Sequence, residues 1–500
     1  MLRRRTGSVD KAKTGTRAQG NLQVRTGLRS RKSVLGTVLL AALVPLVLSS
    51  CMNTEQADVS SVDPAEAAQR TAPEWTGSEA QGVYDIGLTL RKDGSFVVTT
   101  SIEVTNRSKD SWRDIGFYLV PNALNAEATP DYEAGSDAEV NISSLKVGGK
   151  PSNYTLTNNA LTVDLPQLLK PGQTAEVSVN YGLSLPENGP RLSRVGNNYY
   201  LAHWYPMLAP YEEGWVLRDY DGVGESYETG YGAYTVRYRM PQAYLVAGSA
   251  EDGKIRAVSS GVVTGTDIKD FYLALLDPEE WEFDTRTAGS TQLRVFTPKG
   301  AELLEETADM AADTYAYFST NIGDNPSPEV DLIANDGYME YPNVVEVAAD
   351  AEAQRPVLVH ELAHQWFYYR VSSDPYDEAW LDESITEFAA SLLNTERLGS
   401  EEAGFADART ASTAYPTKTY ANLPMDQFDD DTYYSTIYGK IPLLLNDFFA
   451  DHGGREGAID FLSAYYAEFK MKQVNTEEFK AFFEDYFEGD QSEYLNSWLR

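Results

Sequence analysis

His360-Glu361-Leu362-Ala363-His364 sets two imidazoles four residues apart, with a carboxylate directly after the first. On a helix, side chains at i and i+4 leave from one face, so both rings can grip a single zinc ion. Glu361, between them, can serve as general base for water activated at such an ion. The pentapeptide lacks a third ligand. Glu383, in Trp380-Leu381-Asp382-Glu383-Ser384, can supply it from the next predicted helix after an eighteen-residue spacer. Three protein ligands leave one position open, as a hydrolytic zinc site requires.

The same residues on an ordinary surface helix would need no metal. The local context argues otherwise: the chain has four histidines, and the motif takes two of them. Its flanks, Val357-Leu358-Val359 and Gln365-Trp366-Phe367, are apolar and predict a buried helix. Buried imidazole and carboxylate groups need partners, because an unpaired polar group costs several kcal/mol inside a protein. One ion satisfies all three. Glu387 lies four residues after Glu383 on the same helical face. It reads either as the acceptor that orients a liganding histidine or as a solvated helix carboxylate. Asp382 is expected at the helix surface.

Two kinds of element must hold this constellation. From about Val83 the apolar period is two: Phe96, Val98, Thr100, Ile102 and Val104 alternate behind an Asp93-Gly94 hairpin signal. Leu161–Leu165, Ala175–Tyr181, Tyr234–Tyr238 and Ala243–Ala247 continue the pattern, so residues 80–290 read as an all-β domain. After about Ser290 helical periods dominate, over Glu302–Phe318, Arg355–Tyr369, Glu378–Glu396, Ile441–Phe449, Arg455–Phe469 and Thr476–Phe487, with a strand at Val330–Ile333. Residues 291–500 are thus expected to form an α+β domain that carries the chemistry.

The amino terminus is different material. Its first fifty residues hold ten Lys/Arg and one acidic residue, Asp10, and end in an apolar run from Val34 to Leu48, short for a membrane span. Leu48-Ser49-Ser50-Cys51 matches a bacterial lipobox, which predicts a signal peptide over 1–50 and lipidation of Cys51, the single cysteine. Residues 51–79 read as a flexible tether. Beyond residue 50 the chain has 31 basic and 74 acidic side chains. Such a charge repels phosphate backbones and excludes nucleic acid as a partner. It leaves the lipid as the expected membrane anchor. No internal disulfide is possible.

At these residues the chain resembles the gluzincin aminopeptidases, the membrane alanyl aminopeptidase family. Gly337-Tyr338-Met339-Glu340-Tyr341 is similar to the family's Gly-x-Met-Glu-Asn exopeptidase motif. Tyr438-Gly439-Lys440, before an apolar helix, is similar to its Tyr-x-Lys-Gly segment. Trp204-Tyr205-Pro206, Trp215 and the stretch from Thr476 to Leu499 resemble further landmarks. The likeness spans roughly residues 80–500. It implies a saddle- or sandwich-like β domain, then a thermolysin-like zinc metallopeptidase domain that removes N-terminal residues from peptides. It implies one zinc ion held by His360, His364 and Glu383, with Glu361 as base and Tyr438 as donor to the oxyanion. Glu340 would pair with the substrate's free α-ammonium, beside the backbone of Gly337, Tyr338 and Met339. Tyr341 stands where the family has Asn, and Ile441 where Gly is usual. The resemblance ends with the chain at Arg500, ahead of the large helical domain of many relatives, so a more open cleft is expected. Two rivals remain: a thermolysin-like endopeptidase in which Glu340 does not bind the amine, and a surface lipoprotein whose zinc is structural. The second has no need of Glu361.

Overall fold

Alternating burial builds the N-terminal half. In the strand Phe96–Asn106 every second residue is buried, and Phe96, Val98, Ile102 and Val104 are fully so. It pairs antiparallel with Ala80–Leu90 through a tight turn in which Gly94 takes φ +87° and Asp93 accepts from the Ser95 N–H at 3.0 Å. These two strands belong to a ten-stranded sheet. A four-stranded sheet, built around Trp112–Tyr118 and Ala160–Leu169, shares one apolar core with it. Two sheets over a common core make a sandwich-like arrangement.

The computed structural model describes residues 78–129, 134–220, 226–415 and 417–500. The predicted signal segment, Cys51 and all but the last two residues of the predicted tether lie outside them.

The second half opens on a hairpin, Trp281–Ala288 with Thr291–Pro298, and the expected domain junction at 290/291 falls in its turn. Helix α1, Leu304–Asn321, then crosses over to the strand Glu329–Ala334, which runs parallel to Thr291–Pro298. Val344–Val347 adds a further parallel strand, and Met339–Tyr341 closes the sheet as an antiparallel edge. Helix α1 starts two residues later than the sequence suggests, because Glu302 sits at φ +56° and cannot join a right-handed helix. Helix α2, Ala351–Phe367, packs on this sheet, and α3, Ile385–Leu398, and α4, Ile441–Ala450, complete the framework of one large core. The architecture is thus mostly-β followed by α+β.

The two halves meet along the strand that matters most for the site. Tyr272 stacks on Tyr341 with ring centroids 4.4 Å apart, and Leu245 and Tyr200 join Met339 and Val344 in one apolar cluster. Arg294, fully buried, grips Asp331 through Nε at 2.6 Å and Nη2 at 2.5 Å, and also donates to the carbonyls of Val246 and Gly253. Removing this guanidinium would leave Asp331 and nearby Glu329 buried and uncompensated. Arg294→Ala is therefore expected to lower unfolding free energy by about 3–5 kcal/mol. Urea denaturation would measure it, and a loss under about 1 kcal/mol would contradict the role.

Candidate metal centre

Helix α2 carries His360 and His364 one turn apart, so their rings face the same cavity. Their Nε2 atoms lie 3.0 Å from each other. Oε2 of Glu383 lies 3.1 Å from Nε2 of His360 and 3.3 Å from Nε2 of His364. Three donors at these separations match the edges of a tetrahedron with bonds of about 2.0–2.1 Å, the zinc–nitrogen and zinc–oxygen distances.

The outer nitrogens explain why a cation belongs there. Nδ1 of His360 meets Glu387 Oε2 at 2.9 Å, and Nδ1 of His364 meets Asp382 Oδ1 at 2.7 Å. If each Nδ1 carries the proton and donates it to its carboxylate, both Nε2 lone pairs point at one another. Two lone pairs at that distance repel unless a positive charge sits between them. The electrostatics say the same. Burial alone would lower the pKa of His360, but hydrogen bonds to Glu383 and Glu387 outweigh it and hold it near 9. His364, fully buried, is likewise held well above the usual histidine range, against desolvation, chiefly by Asp382. Glu383 would be raised by burial, yet the two histidines hold it far below the ordinary carboxylate range. The cluster demands positive charge, and the donor set fits zinc.

Glu361 faces the same cavity. Its Oε2 is buried with no hydrogen-bond partner. Burial pushes its pKa up to about 7, against the pull of both histidines. One ligand atom of each of Glu340, Glu361 and His364 falls within 4.8 Å of the others. Glu340 comes from the edge strand and is 4% exposed. Tyr438 closes the other side: its ring centroid is 5.8 Å from that of His360, and burial with nearby Glu383 pushes the phenol well up. Gly337, Tyr338 and Met339 run along the edge-strand side, and Tyr338 and Met339 line the cavity of about 480 Å³. The structure thus brings His360, His364, Glu383, Glu361, Glu340, Tyr438 and Glu387 together. Cys51 lies outside the described residues.

Glu383 and Tyr438 are delivered by unusual backbone. Trp380–Ser384 and Ser435–Lys440 are both π-helical turns, and Ser384 Oγ donates to the Ile437 carbonyl at 2.6 Å, tying one to the other. The widened turn at 380–384 corrects one expectation. Asp382 is not at the helix surface but 1% exposed, because the π turn directs it and its neighbour Glu383 into the core together. The only sequence signal for its role was its position beside a ligand. Asp382→Asn is expected to weaken zinc binding by about 10–100-fold, since it removes the carboxylate that orients His364. Competition with a chromophoric chelator would measure this, and unchanged affinity would rule the role out.

Residues 332–498 match the sequence family described as "Peptidase family M1 domain". Aminopeptidase B of Rattus norvegicus is 28% identical over 142 residues, covering 26% of this chain and 22% of the relative. Leukotriene A-4 hydrolase of Xenopus laevis is 28% identical over 153 residues, covering 28% of this chain and 25% of the relative. The chain therefore spans about a quarter of the length of the curated relatives it matches. Likeness of fold extends further. An M1 zinc metallopeptidase from Deinococcus radiodurans superposes with a TM-score of 0.60 at 18% identity, covering 86% of this chain and 96% of that one. A mutant of that enzyme bound to a Tyr-Ser-Ala substrate gives 0.61 at 18% identity, covering 84% and 94%. The matched segment includes Glu340, His360, Glu361, His364, Glu383, Glu387 and Tyr438.

Proposed function

We propose that this protein is a zinc aminopeptidase that removes residues from the free N-terminus of peptides. One observation carries the reading: the Glu340 carboxylate lies within 4.8 Å of the ligand atoms of Glu361 and His364. An ammonium group paired with Glu340 puts only one residue's backbone between that anchor and the reactive centre. The next peptide bond is then the one attacked.

A zinc ion held by His360, His364 and Glu383 would supply Lewis acidity to the scissile carbonyl. The chain's own groups do the rest. Glu361 accepts a proton from the attacking water and returns it to the leaving amine. Tyr438 donates to the oxygen on which negative charge develops, a contact that strengthens only towards the transition state. His360 and His364 are held in one tautomer by Glu387 and Asp382. The strand Met339–Tyr341 is the last of its sheet, and its free edge would offer backbone pairing to an extended peptide. The sequence relatives, aminopeptidase B among them, and the tripeptide bound by the structural relative support the same assignment.

The test uses one peptide in free-amine and N-acetylated forms, followed by mass spectrometry. Stepwise shortening of the free form alone is expected. Internal cleavage of both forms would make the protein an endopeptidase and remove Glu340 from the amine-binding role. No cleavage of either, with zinc bound, would leave a structural metal.

The same reading places the enzyme outside the cytoplasm, tethered to the bacterial membrane by a lipid on Cys51. It rests on the lipobox and the basic leader. Among the described residues no helix is long and apolar enough to cross a membrane. Cys51→Ser is expected to move the protein from the detergent phase to the aqueous phase on Triton X-114 partition; no change would remove the anchor.

A further inference from the structure

We infer that the Tyr338 side chain selects the first residue of the substrate, favouring aromatic and large aliphatic side chains. The inference rests on the aminopeptidase reading and deepens it. Tyr338 adopts φ +51°, a left-handed conformation that a bulky residue avoids. The residue is 46% exposed, and among the described residues no aromatic ring contact to it is found. Such strain persists only where surrounding structure over-determines it. Here the surroundings are explicit. Gly337 lies over the buried Glu346 so closely that a Cβ would stand 2.5 Å from its Oε2, which excludes any side chain there. The Gly337 N–H donates to Asn335, whose side-chain amide donates to Glu346 at 2.6 Å, and Tyr272 donates to the same carboxylate. Asp336, itself at φ +62°, is fixed by its N–H to the Val347 carbonyl and by accepting from the Ala349 N–H. The loop is locked, and what it presents to the cavity is an exposed phenol ring.

Position supplies the specificity. Tyr338 precedes Glu340 by two residues, at most about 7 Å along the backbone, and both line the cavity. A substrate ammonium at Glu340 is one bond from the Cα that carries the first side chain. That side chain therefore falls within reach of the Tyr338 ring, where aromatic and aliphatic groups gain contact area and stacking. Other walls carry Glu387 and Asp407, which disfavour an acidic first residue. Arg191 also lines the cavity and defines the rival outcome.

The experiment compares kcat/KM for Phe-, Leu-, Ala-, Lys- and Glu-p-nitroanilides on zinc-loaded protein. Wild type is expected to prefer Phe and Leu to Ala by about tenfold or more. Tyr338→Ala should collapse that ratio about tenfold, mainly through KM, while Tyr338→Phe keeps it. Tyr338→Gly should lose the ratio and raise Tm, because glycine tolerates this φ. An unchanged Phe-to-Ala ratio in folded Tyr338→Ala, or a wild-type preference for Glu, would overturn the inference while leaving an aminopeptidase. No turnover of any substrate, with tripeptides also uncleaved, would overturn the functional reading and this inference with it.

Discussion

Glu361→Gln is expected to lower kcat/KM by about 10²–10⁴-fold while zinc content stays unchanged. Glutamine keeps the shape and one hydrogen-bonding oxygen but cannot take a proton. The native carboxylate is suited to that task. Its Oε2 is buried without a partner, and burial pushes its pKa to about 7, where a base is effective near neutral pH. A cation between His360 and His364 would pull that value down, so the acid limb of the pH–rate profile should lie below 7 and vanish in the variant. The folded-state pKa is raised above the ordinary value of about 4.3. The carboxylate therefore weakens metal-free folding as pH rises from about 4 to 7, and Gln should not lower Tm there. Metal analysis and steady-state kinetics check both statements. Activity within tenfold of wild type would remove Glu361 from proton transfer.

His364→Ala is expected to release the zinc, abolish activity and destabilise the fold. His364 is fully buried and offers Nε2 to the cluster while its Nδ1 pairs with Asp382 at 2.7 Å. Truncation leaves two of three ligands and strands a carboxylate that is 1% exposed, and losing one partner of a buried pair costs about 3–5 kcal/mol. Asp382→Asn in the same background should recover part of the stability and none of the zinc. Metal content after gel filtration, with thermal unfolding of both variants, separates the effects. Zinc retained at one equivalent in His364→Ala would mean that other residues hold the ion.

The distance between sequence and structure differs from residue to residue. His360 and His364 were legible because i and i+4 on a helix fix the angle between two side chains whatever the rest of the chain does. The strand alternation at Phe96–Val104 and the turn at Asp93-Gly94 were legible for the same reason, being set by local geometry. Asp382 was not. A helical period of 3.6 sends it away from Glu383's face, and only the π-helical turn brings both inward. The strand Trp281–Ala288 shows a second limit: alternation marks a strand but does not name its partner, which is Thr291–Pro298 in the five-stranded sheet of the second half.

By itself the sequence determined the chemistry on offer: two imidazoles with carboxylates at Glu361 and Glu383 at fixed spacing, a further carboxylate at Glu340 in a motif similar to an exopeptidase one, and a strand-rich half before a helix-rich one. Tertiary structure alone decided which groups act on one another. Glu340 comes from a sheet edge, Glu361 from α2, Glu383 and Tyr438 from two hydrogen-bonded π turns, and Tyr338 is held strained over Glu346. The physical reason is range. Spacing along one helix or strand is set by bond geometry, whereas distances between elements are set by packing, which no local pattern encodes.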